Sequence, residues 1–274
     1  MKTTLVAIPT ATTPLDGAWY EPDGPARGAA LLFHGNTMNF YLGAPRFLPP
    51  VLTRLGLACL AFNRRGRDIL GIRDSRAAEG AAFQLIHEAV EDNRTAARWV
   101  AAQGFPHPAV IGHSNGGMLA VRHVADQPKT PALVLLSAHC GGKDMVPLAC
   151  RAGLLAADQL EKLTEKAKGM VEAGKGRELM LMPGWWYVTT AASFLDLENC
   201  PDVLALAPKV ACPTLYLRGD QEPRDLYPAE VFAERCGAAC EVQVVPDCGH
   251  FYVQREDEIA RRVSSWLGPV LKDR

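Results

Sequence analysis

The sequence predicts an α/β protein: a mostly parallel, twisted sheet with helices on both faces. Three observations lead there. Apolar runs of strand length alternate with amphipathic helical segments along most of the chain. The runs "AALLFHG", "LACLAFN", "PAVIGHS" and "PALVLLSAH" are apolar almost throughout, as strands covered on both faces must be. The chain of 274 residues is long enough for one large core, with at most an inserted cap.

The elements follow in order. "TTLVAI" and "GAWYEP" read as the first strands, and the turn "PDGPARG" leads into "AALLFHG". "APRFLPPVLTRLG" has helical apolar spacing despite its prolines, "LACLAFN" is a buried strand, and "AFQLIHEAVEDNRTAARWVAAQGF" is an amphipathic helix closing at Gly104. "PAVIGHS" is a strand, "GMLAVRHVADQ" a helix and "PALVLLSAH" a strand. From Cys140 to Pro208 the rhythm breaks. That stretch holds a helix, "DQLEKLTEKAKGMVEAG", and the aromatic cluster Trp185, Trp186, Tyr187, with no strand of comparable strength. Alternation resumes with "CPTLYLRGD", a helix around "PAEVFAERCG", the strand "EVQVVPD" and a last helix "EDEIARRVSSWLGPVL". The expected organisation is a core of residues 1–139 and 209–274 interrupted by an insertion, 140–208.

Composition narrows the function. Lys+Arg of 29 against Asp+Glu of 30 leaves a formal charge of -1, which gives nucleic acid and anionic membrane no general attraction. The apolar stretch Leu5 to Ile8 is shorter than the roughly 7 residues of a secretory h-region, and no uncharged run approaches the roughly 18 of a membrane span. A soluble, cytoplasmic protein is expected. In that compartment its 8 cysteines are expected reduced, and because none of them forms C-x-x-C no structural metal is expected.

The chemistry concentrates at "VIGHSNGG". Gly112-His113-Ser114-Asn115-Gly116 fits G-x-S-x-G between a strand and a helix, where glycines let the backbones approach and a sharp turn pushes Ser114 outward as a nucleophile. A serine hydroxyl needs a base, and the base needs an orienting carboxylate. His250, in "VVPDCGHFYV" after the last strand, is the expected base. Asp220, directly beyond the strand in "PTLYLRGDQEP", is the expected acid; Glu222 and Asp247 compete for that place. An oxyanion would be met by backbone N–H groups: Asn115 at the start of the helix, and Asn36 in the turn "HGNTMN" with Thr37 beside it. His139, at a strand end, is a candidate pocket residue along with Thr37.

Taken in order, these motifs resemble the α/β-hydrolase superfamily, nearly end to end. "HGN" at His34 to Asn36 is similar to its oxyanion loop, "FNRRGRD" at Phe62 to Asp68 to its Asp-x-Arg-Gly segment with Asn63 in the aspartate position, and "CGHFY" to its histidine loop. The resemblance implies an α/β-hydrolase fold in which 140–208 is a cap or lid over the pocket, with Trp185, Trp186 and Tyr187 as an apolar wall against substrate. It also implies that one arginine of Arg64, Arg65 and Arg67 braces loops. The activity implied is that of a cofactor-independent serine hydrolase on a small-molecule ester or lactone. The same residues serve amide or carbon–carbon bond hydrolysis and acyl transfer, and the fold also serves as a ligand-binding receptor or scaffold.

Overall fold

The computed structural model describes residues 1–73, 76–184 and 188–272. Its centre is an eight-stranded sheet. The strands are β1 (Lys2–Ile8), β2 (Leu15–Glu21), β3 (Gly28–Phe33), β4 (Leu57–Phe62), β5 (Ala109–His113), β6 (Leu133–Leu136), β7 (Thr214–Gly219) and β8 (Cys240–Val245). They lie in the order β1-β2-β4-β3-β5-β6-β7-β8. β2 is antiparallel to both β1 and β4, and all pairs from β4 to β8 are parallel. Every residue of β4, β5, β6 and β7 is buried, while of the edge strands β1 is mostly exposed and β8 mostly half-buried.

Alternation along each strand feeds two cores. Leu31 and Phe33 of β3 face one, Ala30 and Leu32 the other. On the first face pack α1 (Ile86–Ala102) through Ala89, Ala96 and Val100, and α2 (Asn115–Asp126) through Met118, Leu119 and Val121. On the second lie the helical turn Pro49–Arg54, through Leu52, and the C-terminal helix, through Ile259, Val263 and Leu267. The segment read as one helix from Ala44 is two, Ala44–Phe47 and Pro49–Arg54, because Pro49 and Pro50 lack the N–H groups a continuous helix would use.

Between β6 and β7 come α3 (Met145–Arg151), α4 (Leu160–Glu172), a short antiparallel pair Leu179–Leu181 with Val188–Thr190, and the helical turns Ala191–Asp196 and Val203–Leu206. Met145, Ala149, Leu163 and Phe194 from this stretch join the first core. α5 (Ala229–Arg235) and α6 (Glu256–Val270) complete the chain. Among the described residues, no helix is long and apolar enough to cross a membrane.

Candidate active site

Parallel strands deliver their carboxyl ends, and the loops that follow them, to one edge of the sheet. β5 ends at His113, and Ser114 turns into α2 with φ 57 and ψ -121, a backbone region that favours glycine. The surrounding glycines make the turn possible. A Cβ on Gly112 would lie 2.3 Å from the Gly116 carbonyl oxygen, and one on Gly117 would lie 2.6 Å from Ala138 Cβ. The His34-Gly35 turn is seated directly on this elbow, since a Cβ on Gly35 would sit 3.4 Å from Ser114 Cβ.

His250 arrives from the loop after β8. Its Nε2 is 2.9 Å from Ser114 Oγ and its Nδ1 is 2.7 Å from Glu222 Oε1. The expected carboxylate, Asp220, is elsewhere: its Oδ1 accepts the Cys248 N–H at 3.1 Å, and that side chain is exposed. This corrects the sequence reading, and its cause is the contact of this turn with the loop around Cys248. Gly219 lets the Cys248 carbonyl come so close that a Cβ would be 2.1 Å from it, and Asp220 then caps the neighbouring turn. The N–H of Cys248, with that of Asp247, holds the Asp220 carboxyl below its ordinary range. Two residues further on, the chain has turned back and Glu222 reaches the imidazole.

Glu222 is itself held. Its Oε2 accepts the Ser137 hydroxyl at 2.6 Å and the Gly219 N–H at 2.7 Å. The Tyr252 hydroxyl lies 2.6 Å from Ser137 Oγ and donates toward the Leu217 carbonyl at 3.1 Å. His113 steadies the other side. Its Nε2–H donates to the His250 carbonyl at 2.9 Å, and the two rings are 4.9 Å apart. The contacts Ser137–Glu222, Ser137–Tyr252 and His113–His250 each join residues more than eighty positions apart, so no local pattern announces them.

The relay opens on a cavity of about 370 Å³. Its walls are mostly apolar, with Met145, Leu154, Leu155, Leu226, Tyr227 and Phe251 among them. Asn36, Asn115 and His139 line it as the sequence suggests, and the N–H of Asn115, at the first position of α2, has no intrahelical acceptor. Thr37 does not reach this cavity; it borders a separate small space with Ile69 and Val188. Trp185, Trp186 and Tyr187 lie outside the described residues.

The arginine run braces loops. Arg65 pairs with Asp92 at 2.9 Å and Arg67 with Asp68 at 3.0 Å. Arg64, 1% exposed, donates to the His34 carbonyl at 2.7 Å and lies 3.5 Å from Asn115 Oδ1, beneath both strand ends. Asn63 accepts the Phe40 N–H through its side chain at 2.9 Å. None of the three arginines lines the cavity. Among the described residues no cluster could hold a metal ion.

Four imidazoles are kept neutral here. Burial pushes His113 down to about 3, and His123 and His139 down to about 4. Burial, and then the Arg64 charge, also lowers His34. Unfolded, these rings titrate near 6.5, so below that pH the unfolded chain binds protons that the native chain refuses. Their contribution to stability is therefore complete above about pH 6.5 and is lost as pH falls, at about 1.4 kcal/mol per ring per pH unit. The expected result is a Tm that is level above neutrality and drops steadily from pH 6.5 toward pH 4. A level Tm across that window would mean that the rings are charged in the fold.

A strand-turn-helix serine, a histidine loop after the last strand and a doubly wound sheet define a class, and the sequence comparison agrees with it. The chain belongs to the alpha/beta hydrolase family, which residues 30–262 match. No curated protein matches the sequence. Among solved structures it is similar to Est1E from Butyrivibrio proteoclasticus, at 17% identity and TM-score 0.70, over 98% of this chain and 99% of that one. It is also similar to a thermostable carboxyl esterase from Bacillus coagulans, at 17% identity and TM-score 0.71, over 98% and 99% of the two chains. A third is a soluble variant of monoglyceride lipase from Saccharomyces cerevisiae, at 12% identity and TM-score 0.70, over 97% and 95%.

Proposed function

We propose that this chain is a serine hydrolase that cleaves a small carboxylic ester or lactone with an apolar acyl or alcohol part, through an acyl-enzyme. One observation carries the reading: an unbroken hydrogen-bond relay from Ser114 Oγ through His250 to Glu222, opening on an apolar cavity. The imidazole takes the Ser114 proton as the oxygen attacks the carbonyl, and Glu222 keeps the Nδ1–H tautomer and balances the imidazolium that forms. The N–H groups of Asn36 and Asn115 receive the oxyanion. The protonated His250 then gives its proton to the departing alkoxide. Water, activated by the same ring, releases the acid.

The cavity is at the lower end of the range for small-molecule sites, about 300–1,000 Å³, which favours a small substrate over a polymer chain. Alcohols leave more easily than amines, which favours esters. Est1E, to which this chain is similar, has been solved with ferulic acid bound, which favours including an ester of an aromatic acid among the first probes. Residues 140–208, which supply Met145 and Leu154 to the cavity wall, we assign as the cap.

The test is a fluorophosphonate probe read by intact mass and peptide mapping. One adduct on Ser114, nearly lost in His250→Ala, is expected. A folded protein that takes the probe elsewhere, or not at all while turning over no aryl ester, would overturn the proposal.

His139 gives the cavity one polar contact. Its Nδ1 accepts the Gly141 N–H at 3.2 Å, so its proton sits on Nε2, which bonds to no other described residue. His139→Phe should raise KM about tenfold for an ester with a second acceptor in its chain, the loss of one hydrogen bond of about 1.4 kcal/mol. For a plain alkyl ester of the same length KM should hold. Equal effects on both esters would show that the ring only fills space.

A further inference from the structure

His34, the residue after β3, is fully buried and does not line the cavity, yet both of its ring nitrogens are engaged. The main-chain N–H of Arg64 donates to Nε2 at 3.1 Å, and Nδ1 lies 2.7 Å from the Gly35 carbonyl oxygen. A main-chain N–H can only donate and a carbonyl can only accept, so both bonds demand one form of the ring: neutral, with its proton on Nδ1. Burial, and then the Arg64 charge, keeps a second proton off. That guanidinium stands close by, its Nη2 donating to the His34 carbonyl at 2.7 Å and lying 3.4 Å from Nδ1.

The Gly35 carbonyl shares a peptide plane with the Asn36 N–H. In a trans peptide the two point in opposite directions, so fixing the carbonyl fixes the direction of the N–H. The turn holds that plane only loosely by itself. Its own bond, from the Met38 N–H to the Gly35 carbonyl, is 3.4 Å long, and β-branched Thr37 sits in the left-handed region at φ 56. The His34 bond is the shorter hold. We propose that His34 is a positioning residue for the reaction: its Nδ1–H anchors the Gly35 carbonyl and thereby aims the Asn36 N–H at the oxyanion, while the Arg64 N–H fixes the tautomer this requires. The same bond draws electron density from the Gly35–Asn36 peptide and makes its N–H the stronger donor. The inference rests on the serine-hydrolase reading, since His34 itself touches no reacting atom.

Three replacements separate the two ring nitrogens. His34→Asn places an N–H where Nδ1 stands, His34→Gln reaches only the place of Nε2, and His34→Phe keeps a ring and loses both groups. On an aryl ester, assayed in folded protein well below each Tm, His34→Gln and His34→Phe should lower kcat about ten- to a hundredfold with KM within about twofold. His34→Asn should recover most of that loss, to within about threefold of the parent. Stability should follow a different order, because only glutamine keeps an acceptor for the Arg64 N–H.

The second readout is an alkyl trifluoromethyl ketone. Ser114 Oγ adds to its carbonyl carbon, the carbonyl electron pair moves onto the oxygen, His250 takes the serine proton, and the hemiketal oxyanion occupies the place of the transition state's. Its affinity should fall by the same factor as kcat in each variant. If the ring only fills space, Tm drops while kcat and ketone affinity hold, which would overturn the proposal; so would a glutamine variant faster than the asparagine one. That last contrast decides the matter even if His34→Phe does not fold. A parent chain that turns over ester beside a flat His34 series removes this role alone. A parent that turns over none removes the serine-hydrolase reading, and this role with it.

Discussion

Replacing Glu222 with glutamine should lower kcat on an aryl ester by about a thousand- to ten-thousandfold, and Asp220→Asn should leave it within about twofold. Glu222 Oε1 faces the His250 ring, while Oε2 takes the Gly219 N–H and the Ser137 hydroxyl. A glutamine has one acceptor oxygen. The Gly219 N–H is fixed in the backbone and cannot turn away, so the amide oxygen goes to that side and its NH₂ faces His250 Nδ1. The imidazole must then carry its proton on Nε2, which leaves it without a lone pair for the Ser114 proton. Asn at position 220 still offers Oδ1 to the Cys248 N–H, so the loop keeps its shape. KM should change little in either variant, because neither alters the apolar walls. The opposite pattern, a silent Glu222→Gln and a crippled Asp220→Asn, would return the orienting role to Asp220.

That contrast also marks where sequence reading stops. Ser114 is legible because a strand, a glycine-flanked turn and a helix lie within a dozen residues, and the apolar runs around it allow one sheet only. His250 is legible because it follows the last strand on a loop that must emerge at the same edge. The carboxylate is not, because Asp220 and Glu222 differ by two positions and the choice between them depends on a contact with the loop around Cys248, some thirty residues away. Gly219 was the available signal. Read as a tight exit, it points to Asp220; read as the place where another backbone approaches, it makes the next residue part of that contact. The supports Ser137, Tyr252 and His113 were beyond reach for the same reason, as was the role of Arg64 beneath His34. Burial of a guanidinium is decided by what folds over it.

Gly116→Ala should damage the fold severely. A Cβ there would lie 2.3 Å from the Phe33 carbonyl oxygen and 2.4 Å from that of His34, inside any real contact distance. Both obstacles are backbone, at the end of β3 and the start of the turn that carries Asn36. Neither can rotate away, and moving them pulls β3 from its pairing with β5, where Phe33 stands opposite Gly112. The cost should exceed about 4 kcal/mol, seen as a Tm lower by roughly 10 °C or as failure to accumulate folded protein. Gly169→Ala is the matched control. It adds the same methyl in the middle of α4 with nothing within 4 Å, and should instead stabilise the helix by up to about 1 kcal/mol. If Gly116→Ala melts like the parent and turns over ester at the parental rate, the elbow and the Asn36 turn are not in contact. The two N–H groups assigned to the oxyanion would then have no common anchor. If it unfolds while Gly169→Ala does not, the same close approach that places Ser114 also supports the β3 end of the sheet. Glycine at position 116 would then be required by the fold before any chemistry is asked of it.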